Sequence, residues 1–138
     1  DGMDMAFCRY FSQTRKLEFA GAHNPLHIVR KGESILTKGD KMPVGVYLNS
    51  NEPFTLKEIF AEEGDMLYIY SDGFADQFGG EKGKKYMSKR FRAFLESISD
   101  LSCIEQKEKL EEEYQNWISR EGEDWPRMDD VMVMGVRL

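Results

Sequence analysis

Hydrophobic and polar positions change their period partway along the chain. In the first half they alternate in twos, the spacing of strands with one wet face. Residues 5–11 and 16–20 read as two strands joined by the polar Ser12-Gln13-Thr14-Arg15, a hairpin in which Leu17 and Phe19 alternate with Lys16 and Glu18. Gly21-Ala22-His23-Asn24-Pro25 breaks the pattern, after which Leu26, Ile28 and Arg30 alternate with His27 and Val29. A turn at Lys31-Gly32-Glu33 leads to a short strand over 34–37. A loop over 38–43, extended chain at Val44-Gly45-Val46 and a turn over 49–53 follow. Residues 54–60 alternate again, with Phe54, Leu56 and Glu58 opposite Thr55, Lys57 and Ile59.

The run Met66-Leu67-Tyr68-Ile69-Tyr70 has no charge and no breaker, so it reads as a central strand buried on both faces. Gly64-Asp65 turns into it and Ser71-Asp72-Gly73 ends it, with Gly73 free to take angles closed to other residues. Asp72 is thereby held at a strand end, and Asp76 follows one helical turn later. The glycine-rich, basic stretch 78–85 reads as a mobile loop. From there the period becomes helical: Met87, Phe91, Phe94, Leu95 and Ile98 form one stripe. Ser102-Cys103-Ile104-Glu105 is a capping box opening a second helix, which buries Leu110, Tyr114, Trp117 and Ile118 and turns Glu111-Glu112-Glu113 to solvent. A polar connection over 121–128 reaches Asp129-Asp130, which launches Val131-Met132-Val133-Met134-Gly135-Val136, a strand apolar on both faces. Strands first and helices grouped later indicate an α+β domain with helices packed on a sheet. There is no repeat and no linker.

Composition narrows the function classes. The chain has 138 residues, 41% hydrophobic and 32% charged, enough for one domain with a core. A net charge of -6 argues against a nucleic-acid partner. Cys8 and Cys103 stand apart, outside metal-ligand spacing, and read as reduced thiols of a cytoplasmic protein. No apolar run approaches the ~20 residues that span a bilayer, so direct membrane insertion of this segment is not expected. The chain opens Asp1-Gly2-Met3-Asp4 rather than at an initiator Met, which points to a longer parent.

Candidate chemistry lies where the two apolar strands meet loops at acids: Asp72 at the end of one, Asp129-Asp130 at the start of the other. If the strands are antiparallel neighbours, these carboxylates converge. An oxygen-only acidic cluster suits Mg²⁺ or Mn²⁺. Two such ions about 4 Å apart can activate water and hold a phosphoryl group. Each acidic pair is also compatible with a plain turn.

In order, Gly21-Ala22-His23-Asn24-Pro25-Leu26, Met42-Pro43-Val44-Gly45, Gly64-Asp65 with Tyr70-Ser71-Asp72-Gly73-Phe74-Ala75-Asp76-Gln77, and Asp129-Asp130-Val131 with Gly135-Val136 resemble the SpoIIE-like branch of the metal-dependent (type 2C, or PPM) serine/threonine protein phosphatases. The resemblance runs from near Asp1 to Leu138. It implies an α/β/β/α sandwich, here truncated, of antiparallel sheets with two C-terminal helices on one face. It implies Asp72 and Asp129 as metal ligands, with Asp130 the alternative to Asp129 and Asp76 serving a further metal. The cofactor is then Mn²⁺ or Mg²⁺, two ions in the complete domain, and the partner a phosphoprotein. The attacking group would be a metal-bound water, with no cysteine nucleophile.

The family's Asp-Gly-x-Gly-His-Gly type motif has no counterpart here. Neither His23 nor His27 precedes the required glycine. Residues 1–138 therefore resemble the C-terminal part of a phosphatase domain, with an incomplete metal shell and no activity expected of the fragment alone. Asp1 and Asp4 are replacement ligands only if they are not, as the resemblance places them, polar residues of a strand edge. His23 fits a turn better than a site. Lys82, Lys84 and Lys85 either greet a phosphoprotein or are solvated charge. Arg30 and Arg127 carry no phosphate signature, and Trp117 and Trp125 read as packing. The alternative function is a non-catalytic, phosphatase-like module for protein binding or signal transmission. Sheet surface left bare by the missing part predicts self-association.

Overall fold

The computed structural model describes residues 2–45 and 51–138. Asp1, Val46 and the first residues of the turn at 49–53 lie outside the described residues.

The strands build two main antiparallel sheets. The first has the order β2 (Met5–Phe11), β3 (Lys16–Ala22), β7 (Lys57–Phe60). β2 and β3 form the expected hairpin, Phe11 opposite Lys16. The second has the order β11 (Val133–Arg137), β8 (Met66–Tyr70), β4 (Leu26–Arg30), β5 (Glu33–Thr37). Two small pairs complete the set: β1 (Gly2–Met3) with β6 (Val44–Gly45), and β9 (Phe78–Gly79) with β10 (Lys84–Lys85). The helices are α1 (Gly73–Asp76), α2 (Ser88–Ile98) and α3 (Cys103–Ile118).

Side-chain alternation sorts the core into two layers. Leu17 and Phe19 of β3 pack on Leu26 and Ile28 of β4 and Leu67 of β8, joining sheet to sheet. The opposite face of the second sheet offers Val29, Met66 and Tyr68 to Phe74, Tyr86, Phe91, Leu95 and Ile98. This is the helical stripe read from the sequence, less Met87, which is exposed at the N-cap of α2. The result is a three-layer stack: three-stranded sheet, four-stranded sheet, helices. β4 and β8 are central strands between two apolar layers, which is why β8 has no charged residue and β4 buries every residue but Arg30. Among the described residues no helix covers the outer face of the three-stranded sheet, and none is long and apolar enough to cross a membrane.

The capping box on α3 is complete: Ser102 Oγ accepts from Glu105 N at 3.3 Å, and the Glu105 carboxylate accepts from Ser102 N at 2.9 Å. Such a cap contributes about 1 kcal/mol.

Four expectations need correction. The strand expected over 54–60 is confined to Lys57–Phe60, because the Thr55 N–H donates to the Asp40 carboxylate at 2.8 Å instead of to a ladder. The stretch 78–85 is an ordered hairpin rather than a mobile loop: the Trp117 indole lies on Gly79 and Gly80 and the Trp125 indole on Gly83, so the glycines make room for rings. The last strand is not buried on both faces. It starts at Val133 and forms one edge of its sheet, with Met134 54% exposed. Glu113, expected in solvent, is half-buried and accepts from the Tyr86 hydroxyl at 2.7 Å.

Candidate active site at the ends of β8 and β11

The antiparallel register Val133 opposite Tyr70 fixes which ends of β8 and β11 coincide. Asp72 lies just past Tyr70, and Asp129-Asp130 just before Val133, so both acidic segments emerge at the same rim of the sheet. Ser71 joins them. Its N–H donates to Met132 O at 3.0 Å, its hydroxyl accepts from Met132 N at 3.0 Å, and the same hydroxyl donates to Asp130 O at 2.9 Å.

Gly73 takes the next step. It is required for space, not for unusual angles: it begins α1 and is absent from the glycines with positive φ. A Cβ there would stand 2.3 Å from Asp130 O and 2.9 Å from its carbonyl carbon. The two segments pass one another at backbone contact, and only glycine permits it.

Around this junction the acids differ in their partners. Asp72 is the N-cap of α1, exposed, and makes no side-chain capping bond. Asp129 and Asp130 are also exposed, and Asp129 Oδ1 accepts from Asp130 N at 2.8 Å. Asp76, on the far side of α1, is half-buried and paired with Lys85 Nζ of β10 at 3.1 Å. Asp72, Asp129 and Asp130 are thus gathered at one rim, with Asp76 one turn away and already engaged. Among the described residues no three His, Cys, Asp or Glu side chains form a group that could hold a metal ion. A cavity of about 1020 Å³ opens beside them, lined by the buried Met66, Tyr68 and Phe74, by Leu110 and Tyr114 of α3, and by Arg127, Asp129 and Asp130.

The other candidates lie elsewhere. His23 sits in a turn with φ 58° and donates its N–H to Asp40 O at 2.8 Å. Asp4 is exposed beside β2. His27 is buried beneath α2, its Nε2 2.6 Å from Ser34 Oγ; burial first, then the charge of Arg92, lowers it to about 4. Arg30 clasps the buried Asp65 at the opposite end of β8, at 2.7 to 3.2 Å. Burial alone would raise the Asp65 carboxyl, but the Arg30 bonds and the Glu62 N–H prevail and hold it below the usual range. Cys8 is half-buried and burial pushes its thiol up to about 11, away from the thiolate form, while Cys103 is exposed at the start of α3.

Two residues that bond the acidic segment and its approach had no assigned role in the sequence. Ser71 is one; its signal is a hydroxyl between a buried strand and an acid. Gln77 is the other, a buried amide just after Asp76 that touches the 126–128 segment. A single glutamine carries no pattern that could have found it.

Comparison with known proteins agrees with this architecture. The SiaA-PP2C domain of Pseudomonas aeruginosa superposes with a TM-score of 0.85 at 28% identity, over 98% of this chain and 51% of that one. The PP2C phosphatase domain of SpoIIE from Bacillus subtilis, solved with a fragment of its regulatory domain, gives 0.72 at 20% identity, over 98% and 37%. A Mn-presoaked structure of the SpoIIE phosphatase domain from Bacillus subtilis gives 0.63 at 18%, over 98% and 56%. The chain thus spans about half the length, or less, of the first two. No curated protein matches the sequence. The family profile described as Stage II sporulation protein E (SpoIIE) matches residues 2–138. With the fold of a PP2C-type phosphatase domain and a profile match over nearly every residue, the chain belongs to the SpoIIE family.

Proposed function

We propose that residues 1–138 form the C-terminal portion of a bacterial signalling protein phosphatase that hydrolyses phosphoserine or phosphothreonine with a dinuclear Mn²⁺ or Mg²⁺ centre. The observation that carries this reading is the junction at which Ser71 and Gly73 hold the Asp129-Asp130 segment against Asp72. The donors fit the ions: oxygen-only and exposed, with no cation paired to Asp72, Asp129 or Asp130 among the described residues. Asp72 and Asp129 would hold metal, with Asp130 and Asp76 as further donors. When bound, such ions supply a water made nucleophilic at neutral pH and neutralise phosphoryl charge. The chain's own part is to fix the carboxylates and to leave the adjoining cavity for residues flanking a phosphoprotein's phosphorylated side chain. The Mn-presoaked neighbour supports the choice of metal.

A cytoplasmic location and self-association belong to the same reading. The latter rests on the bare outer face of the three-stranded sheet, where Met5 and Phe7 are exposed, with Phe54 of the loop before β7 exposed beside them. The test of function is Asp72→Asn in the parent protein, assayed on a phosphoserine peptide with Mn²⁺. Turnover should be lost, and unchanged turnover eliminates the assignment. The chain alone should not turn over an aryl phosphate.

One observation favours a second reading, a non-catalytic phosphatase-like module: Asp76 is neutralised by Lys85. The sequence preceding Asp1 in the parent discriminates: an acidic Gly-His-Gly type motif there supports the enzyme, and its absence supports the module.

A further inference from the structure

The segment that carries Asp129-Asp130 is irregular backbone, and Pro126, Arg127 and Met128 before it are exposed. Its place is set from beneath by one side chain. Gln77 is fully buried, at 0% exposure. Its Nε2 donates to Phe78 O and to Pro126 O, both at 2.9 Å. Its Oε1 accepts from the Tyr114 hydroxyl at 3.0 Å and from Met128 N at 3.2 Å. An amide has two N–H groups and two oxygen lone pairs, and all four are used. The partners also fix which end is which, since two carbonyls can only accept and a backbone N–H can only donate. The Gln77 carbonyl is occupied too, by Trp117 Nε1 and Tyr86 N, each at 3.0 Å.

Ser71 and Gln77 therefore bracket Asp72 and Asp76 in sequence, and each grips the other acidic segment on one side of Asp129. Gln77 holds residues 126 and 128 before it; Ser71 holds residues 130 and 132 after it. We propose that Gln77 is a positioning residue: its buried amide sets where Asp129 and Asp130 stand relative to Asp72. The clamp itself needs no metal, and its consequence for ion binding rests on the reading given above. Removing the amide leaves Pro126 O and Met128 N without the buried partner that ties them to the body of the fold, so the exposed segment is free to shift and take water in its place. Tyr114→Phe is the control, since it removes one bond to the same amide and leaves both bonds to the segment.

Hydrogen exchange on this chain tests the clamp, and Mn²⁺ affinity of the parent protein tests its consequence. In Gln77→Met, exchange at the Met128 and Asp130 amides should rise about tenfold or more, while amides of Phe91 and Leu95 in α2 keep their rates. Tyr114→Phe should leave Met128 near the wild-type rate. If Gln77→Met does not fold, Gln77→Asn, whose amide is one methylene short of the segment, should show the same local rise. Mn²⁺ affinity, read by electron paramagnetic resonance of free ion, should fall about tenfold in the parent carrying the same substitution. Exchange that rises equally throughout, or not at Met128, overturns the clamp. A local rise in a parent that binds no Mn²⁺ leaves the clamp standing and overturns the metal reading.

Discussion

Gly73 and Asp130 meet backbone to backbone, so closely that a Cβ on Gly73 would stand 2.3 Å from the Asp130 carbonyl oxygen. The obstacle is main chain, pinned by the Ser71 hydroxyl at 2.9 Å, so it cannot swing aside as a side chain would. Gly73→Ala should therefore cost about 1–3 kcal/mol of stability and displace the acidic segment. Chemical denaturation reads the first effect. Broadened or shifted Asp129 and Asp130 amide resonances read the second. A variant with wild-type stability and unshifted resonances contradicts the close approach.

Acid should loosen the fold through His27 before it reaches the carboxylates. The imidazole is buried under α2 and lowered to about 4 from an ordinary 6.5. The folded state keeps it neutral where the unfolded chain binds a proton. Stability from this group is therefore complete above about pH 6.5 and declines as pH falls toward about 4. Asp65, held below its usual range, adds a separate loss only at lower pH. Urea titrations between pH 7 and pH 4 should show about one proton taken up on unfolding. His27→Gln should flatten that slope, and an unchanged slope contradicts the assignment.

The outer face of the three-stranded sheet carries Met5 and Phe7, the latter 60% exposed, and Phe54 of the loop before β7 lies beside them. Sedimentation of this chain at tens of micromolar should show self-association, weakened by Phe7→Lys. A monomer across that range contradicts it.

How much of this was legible depends on what each residue's environment requires. Leu17 and Phe19 alternating with Lys16 and Glu18, and the unbroken run of β8, follow from burial on one or two faces. The capping box is local chemistry and read directly. Val133 to Val136 misled, because an apolar run records what a strand needs beside it, not whether the partner is in the chain. Gly79, Gly80 and Gly83 looked like slack, because the indoles that need their space come from Trp117 and Trp125, far along the sequence. Gly73 was legible as a glycine position but for the wrong reason, since its neighbour Asp130 is equally remote. From the sequence, Asp72 and Asp129 share one end only if their strands pair, and the Val133–Tyr70 register supplies that pairing. The Asp76–Lys85 pair and the Gln77 amide needed the folded chain.

The most direct test is anomalous scattering at the manganese edge from Mn²⁺-soaked crystals of the parent protein. A peak is expected within about 2.2 Å of both an Asp72 and an Asp129 (or Asp130) carboxylate oxygen. Manganese bound elsewhere, with neither segment in contact, would contradict it.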